Sequence, residues 1–207
     1  MSDAMRNLQA KIGAGADGEF GPNTARAIAT HYGLSPERGA HLLGQASHES
    51  GGFKRSKENL NYSWKGLITT WPTRFKTEAE AREYHRQPSR IARKVYLRTS
   101  LGNETEDDAE NFIGRGWLQL TGKANYQSFA SDMGMPDVMT NPSLVEEEYA
   151  FETALWYFNK NNLFKIADKG VYEDVIQIIT KRVNGGYHGL DDRINKTKKI
   201  HRWLKDL

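Results

Sequence analysis

The 207-residue chain has no cysteine, which excludes disulfides, thiol nucleophiles and cysteine-bound zinc and leaves the redox compartment open. It also lacks long apolar runs. No stretch approaches the ~20 residues that span a bilayer, and Met1 to Ala10 has no apolar core of the kind that marks a secretory leader. Several chemistries fail for want of a residue. Gly13-Ala-Gly-Ala-Asp-Gly18 has the spelling of a dinucleotide loop, but no strand precedes it, and Asp17-Gly-Glu-Phe-Gly-Pro22 is turn chemistry. His48-Glu49 begins like a zinc-protease helix, yet the residue four beyond His48 is Gly52, so the second imidazole is missing and no catalytic metal is expected. Nucleophile elbows, Walker loops and calcium loops are absent. So are helix-turn-helix, zinc-finger and RNP patterns, so nucleic acid is not an expected partner.

What is present reads as helix after helix. Ser35-Pro36-Glu37 is a helix opening, Ala40, Leu42, Leu43 and Ala46 supply an apolar face, and Gly51-Gly52 stops the helix just after Glu49. Thr77-Glu-Ala-Glu80 spells a capping box, and the segment from Ser89 to Leu97 is amphipathic. Helical spacing recurs over 144–158, 171–183 and 194–204, and 123–132 also looks helical. The acid-rich run 103–110 has Ala109 as its one apolar anchor and reads as a loop without chemistry. Residues 116–121 are the one strand candidate. The class is therefore mainly α. From Lys181 to Leu207 eight Lys or Arg stand against three Asp. This basic tail is either a solvated helix face or a segment drawn to anionic surfaces.

Two acids stand out from the polar charge runs. Glu49 sits in Gln45-Ala-Ser-His48-Glu-Ser-Gly-Gly-Phe53, where an apolar helix ends. Desolvation there favours the protonated form and suits a general acid. Glu58 lies nine residues on, in Glu-Asn-Leu-Asn-Tyr62-Ser63, a polar setting that suits an ionised base. Such a pair is what glycosidic bond cleavage requires. Composition alone leaves open that Glu49 only makes a helix-packing contact and that Glu58 is a surface acid.

Read together, His48-Glu-Ser50, Glu58-Asn-Leu-Asn-Tyr62-Ser63, Gly114-Arg-Gly-Trp-Leu-Gln-Leu-Thr-Gly122 with Asn125-Tyr126, Asn184-Gly-Gly186 and Asp192-Arg193-Ile194 resemble glycoside hydrolase family 19, most closely its short phage endolysin branch. The resemblance covers roughly residues 36 to 207. It implies a two-lobed, lysozyme-like fold with a small β-hairpin region, an open groove, no cofactor and an inverting mechanism. By position it makes Glu49 the general acid, Glu58 the base for the attacking water, and Thr121 the hydroxyl that helps hold that water. Inversion implies carboxyls roughly 6.5 to 9.5 Å apart. His48, Tyr62, Ser63, Gln119, Asn125 and Asn184 fall at groove positions, and Arg193 at that of a charged partner near the base. Trp117, Trp156 and Tyr157 read as core. The short Glu49-to-Glu58 interval and the missing cysteines depart from plant chitinases, imply fewer loops, and favour peptidoglycan over crystalline chitin.

Leu8-Gln-Ala-Lys-Ile-Gly13 and Asp17-Gly-Glu-Phe-Gly-Pro-Asn-Thr24-Ala-Arg-Ala-Ile28 resemble about half of a three-helix peptidoglycan-binding module. The expected organisation is a short helical segment, 1–34, ahead of a catalytic domain, 35–207. The expected protein is a monomeric endolysin, made in the host cytoplasm without a leader, that acts on bacterial peptidoglycan in the periplasm. The alternatives are a chitinase, a non-catalytic wall-binding protein and a lytic transglycosylase, which needs no base.

Overall fold

The structure, a computed structural model, describes residues 3–206. The first two residues of the N-terminal segment and Leu207 of the basic tail lie outside the described residues. Among these residues the first part of the chain forms α1 (Asp3–Lys11), α2 (Pro22–His31), α3 (Pro36–Glu49), α4 (Trp64–Thr70), α5 (Glu78–Glu83), α6 (Pro88–Tyr96) and α7 (Glu106–Asn111). The second part forms α8 (Lys123–Met133), α9 (Leu144–Glu147), α10 (Ala150–Lys160), α11 (Leu163–Ala167), α12 (Glu173–Asn184) and α13 (Leu190–Leu204). The chain divides into two compact units. One comprises Met1–Ser56, Gly116–Leu118 and Val145–Leu207, the other Lys57–Arg115 and Gln119–Leu144.

The first unit is built on α3, whose residues Gly39 to Ser47 are all buried. Ser35 caps the helix by accepting from the Arg38 amide at 3.2 Å, and Pro36 fills the first turn, where no amide is needed. Leu42, Leu43, Phe53, Trp117, Phe151, Phe158, Ile179 and Ile200 form the core around it. Helices α1 and α2 belong to the same core through Met5, Leu8, Ala25 and Ile28. Polar ties reinforce them. The buried Gln9 donates to Asp17 and Thr24 and accepts from the Gly18 amide, which shapes the loop between the two helices. Lys11 and Tyr32 both donate to the buried carboxylate of Glu152, at 2.9 and 2.8 Å.

The second unit packs α4, α5 and α6 around Leu60, Leu67, Phe75, Ile91, Val95 and Ile113. The acid-rich run does not stay a loop. Residues 106–111 form α7, opened by a capping box in which Thr105 accepts from the Asp108 amide and Asp108 accepts from the Thr105 amide. Glu106, Asp107 and Asp108 occupy the first turn, where the amide end of the helix favours negative charge. The expected strand over 116–121 is also absent. Arg115 and Leu120 exchange backbone hydrogen bonds of 3.1 and 2.7 Å around a closed turn, and among the described residues only isolated bridges form, Lys57 with Arg115 and Arg115 with Leu120. The amide of Trp117 is spent on the Ala150 carbonyl, at 3.1 Å, so no ladder propagates.

Candidate active site

In the first unit the site grows from the end of α3. Glu49 is the last helical residue, and Ser50 closes the helix by donating its hydroxyl to the Ala46 carbonyl and accepting from the Phe53 amide. Gly51 and Gly52 then take φ of 62° and 75°, a left-handed turn that side chains rarely adopt. Gln45 and Glu49 lie one turn apart on the same face of α3. The fully buried Arg193, from the first turns of α13, bridges them. It donates to Gln45 Oε1 at 2.6 Å and to Glu49 Oε1 at 2.5 Å, with its Nε on the His188 carbonyl. Gln45 in turn donates to Thr180 of α12. A planar guanidinium presents its donors in a fixed fork, so this chain sets the carboxylate's orientation.

Arg193 was expected as a charged partner near the base; the contact it makes within the first unit is with the expected acid, Glu49, because the α3 register turns Gln45 and Glu49 toward α13. The desolvation expected for Glu49 at the end of an apolar helix is partial, since a buried cation faces it and about a quarter of its side chain is exposed. His48, one residue earlier, bonds Asp192 at 2.6 Å, and Asp192 also pairs with Lys196. Burial works to raise the Asp192 pKa, but the bonds from Lys196 and His48 outweigh it and hold the carboxyl below its ordinary range. Tyr157 is half-buried, and burial followed by the Glu49 charge pushes its hydroxyl up, so it stays a donor, here to the Arg182 carbonyl. Asn184 is the exposed last residue of α12.

In the second unit Glu58 is clamped. Its backbone amide donates to the Gly114 carbonyl at 2.9 Å, its Oε1 accepts from the Gly114 amide at 2.6 Å, and its Oε2 accepts from the Tyr96 hydroxyl at 2.7 Å. Burial, and then the Glu58 charge, drive the Tyr96 pKa far above its usual value, so the phenol keeps its proton. Gly114 is where three expected residues converge. A β-carbon there would lie 2.2 Å from Gln119 Oε1 and 3.2 Å from both Glu58 Oε1 and Thr121 Oγ1. Only glycine leaves that space to polar groups.

Other expected groove residues have local duties. Ser63 caps α4 by accepting from the Gly66 amide, Tyr62 packs its ring 4.9 Å from that of Trp71, and Asn125 donates to the Thr121 carbonyl at 2.8 Å. Trp117 and Trp156 are both buried, as expected of core residues. The sequence reading missed Tyr96 and Gln45. Gln45 was findable as the residue one turn before Glu49, whereas Tyr96 carries no motif.

Each carboxylate is thus held by fixed donors, the arrangement that acid and base catalysis of a glycosidic bond requires. The profile of the family described as chitinase class I matches residues 29–177, which include Glu49, Glu58 and Thr121 and leave out Asn184 and Arg193. A glycosyl hydrolase family 19 domain-containing protein of Haemophilus influenzae is 37% identical over 166 residues, covering 80% of this chain and 77% of that one. An endochitinase of Arabidopsis thaliana is 26% identical over 191 residues; the match takes in 88% of this chain but only about half, 54%, of that protein. Among solved structures a chitinase C mutant matches in fold, with a TM-score of 0.53 at 21% identity over 98% of this chain and 67% of that one.

The chain is a glycoside hydrolase of mainly α, lysozyme-like fold. It belongs to glycoside hydrolase family 19.

Proposed function

We propose that the chain is an endolysin that hydrolyses the glycan strand of bacterial peptidoglycan, at the β-1,4 bonds between N-acetylmuramic acid and N-acetylglucosamine, with inversion. Glu49 gives its proton to the glycosidic oxygen as the carbon–oxygen bond breaks. Glu58 takes a proton from a water whose oxygen bonds to the anomeric carbon from the opposite face, and Thr121 helps hold that water. The observation that carries this reading is the clamp on Glu58. A base must be oriented, and two donors fix its oxygens, one of them at the Gly114 position that the Thr121 hydroxyl also borders.

The short Glu49-to-Glu58 interval supports peptidoglycan, because fewer loops around the groove leave room for peptide stems. The protein works as a monomer without a cofactor, is made in the host cytoplasm, and acts on the wall in the periplasm. His48, Tyr62, Ser63, Gln119, Asn125 and Asn184 contribute to sugar binding, and residues 1–34 to the wall-facing surface. Three cations of the basic tail are already paired, Arg193 with Glu49, Lys196 with Asp192 and Lys198 with Glu173, so attraction to anionic surfaces falls to the remaining ones. The endochitinase relative favours a second reading, cleavage of N-acetylglucosamine polymers.

Digestion of purified Gram-negative peptidoglycan, followed by reduction and mass spectrometry of the new sugar ends, tests the proposal. Reducible N-acetylmuramic acid ends are expected. Anhydro ends would make the protein a transglycosylase, and cleavage of chitin oligomers alone would establish the second reading.

A further inference from the structure

Four residues beyond Glu49, in the first unit, Phe53 takes φ of 64°, a left-handed conformation that a bulky side chain adopts only where its surroundings impose it. It is the third such residue in a row, after Gly51 and Gly52, and unlike them it gains nothing from the freedom of glycine. Together the three turn the chain back onto the end of α3. The Gly52 amide donates to the Ser47 carbonyl at 2.7 Å, the Phe53 amide to Ser50 Oγ at 2.8 Å, and the Ser50 hydroxyl to the Ala46 carbonyl at 2.6 Å. Glu49, the last residue of the helix, lies among these anchor points. The conformation of Phe53 therefore governs how the last turn of α3 ends.

What imposes that conformation is the seat of the ring. Phe53 is buried and meets two aromatic side chains, Trp117 edge-on at 4.7 Å between ring centres and Phe20 at 4.5 Å. Phe20 comes from the Asp17-Gly-Glu-Phe-Gly-Pro22 turn, to which the mechanism above gives no part. That turn is stiff. Gln9 donates to Asp17 and to the Glu19 carbonyl and accepts from the Gly18 amide, and the Thr24 hydroxyl also donates to the Glu19 carbonyl. Phe20 is further braced by Trp203 of α13, 5.9 Å away. Met5, Phe20, Gly52 and Phe53 all border a cavity of about 410 Å³. Removal of the Phe20 ring would enlarge this open space, into which the Phe53 ring can swing as its backbone relaxes.

We infer that Phe20 is a positioning residue for the reaction: by clamping Phe53 it holds the end of α3, and with it the Glu49 carboxyl, in register with Arg193. The inference rests on the reading of Glu49 as the general acid and gives the N-terminal segment a part in that step. Arg193 keeps anchors of its own, the His188 carbonyl and Gln45, so a small displacement of the helix end changes its distance to Glu49. The guanidinium favours the ionised carboxyl, and a looser contact lets the carboxyl keep its proton to higher pH. Of the other titratable groups near Glu49, Tyr157 of α10 stays protonated under the influence of the Glu49 charge, and His48 is engaged by Asp192.

Phe20→Ala and Ser50→Ala break this chain of contacts at its two ends and spare the residues assigned to catalysis and sugar binding. Each full-length variant is compared with the parent on a soluble β-linked oligosaccharide, with kcat and KM followed across the pH range. The expected result is a kcat lower by about tenfold with KM within about twofold, and an alkaline limb of the kcat profile, which reports the acid, moved up by about half a pH unit or more. A purely structural role would lower the amount of folded enzyme and leave the limb in place. An unmoved limb, or an unchanged kcat in a folded variant, would overturn the inference while the acid role of Glu49 stands. Where Phe20→Ala does not fold, Phe20→Leu, which keeps apolar bulk without the ring, decides by the same two readouts. A Glu49→Gln variant with the parent's activity would instead remove the acid role on which the inference rests.

Discussion

Tyr96 is the residue whose role is least visible in the sequence and most explicit in the structure. Its hydroxyl is one of two donors on Glu58, and its proton is locked in place by burial and by the carboxylate it serves. Hydrogen bonds to charged groups are worth about 1.5–3 kcal/mol. Tyr96→Phe keeps the ring and deletes only the donor, so kcat on a soluble oligomer should fall roughly ten- to a hundredfold with KM nearly unchanged and the melting temperature close to the parent's. An unchanged kcat would show that the Gly114 amide alone orients the base. Glu49 and Glu58 were legible because each sits in a short, distinctive run. The bond from Arg193 to Glu49 was not legible, because a sequence does not tell which carboxylate a helix will turn toward.

At the scale of elements, helix boundaries were readable wherever a cap and a stop were spelled out. Ser35-Pro36 and Gly51-Gly52 bracket α3 to the residue, and Thr77 caps α5 through the Glu80 amide. Reading failed where helix formation depends on something other than an apolar stripe. Helix α7 stands on its capping box and first-turn charges, and the continuous pattern over 144–158 breaks at Tyr149 into α9 and α10. The N-terminal segment was read as a short helical segment ahead of the catalytic domain, and its helices lie in the core of the first unit. Met5, Leu8 and Ile28 are essentially inaccessible to solvent, and Glu152 depends on Lys11 and Tyr32 for both its donors. Burial of each large apolar side chain is worth about 1.5–3 kcal/mol, against a typical stability margin of about 5–15 kcal/mol. A fragment starting at residue 35 should therefore be insoluble or melt without cooperativity by circular dichroism. A soluble, cooperatively folding fragment would mean that these helices are dispensable to the core.

For the whole molecule, charge sets how stability responds to pH. The His41 imidazole is buried, which lowers its pKa from 6.5, so keeping it neutral contributes stability that is complete above that value and declines as pH falls below it. Carboxyls held low, Asp168 by Arg38 and Glu110 by Ser89 and Arg93, contribute stability that is present above their ordinary values of 3.8 and 4.5 and lost as pH falls through their lowered ones. The melting temperature should thus be flat just above neutrality, begin to fall below about pH 6.5, and fall more steeply below about pH 4. A melting temperature that rises on acidification from 7 to 5 would contradict this assignment. The central claim is hydrolysis with inversion by two carboxylates, and the anomer released first tests it most directly. Proton NMR of a soluble β-linked oligosaccharide during the first minutes of cleavage should show the α-anomer accumulating ahead of mutarotation. Initial release of the β-anomer would mean that water does not attack from the face opposite the departing sugar, and the roles given to Glu58 and Thr121 would fall.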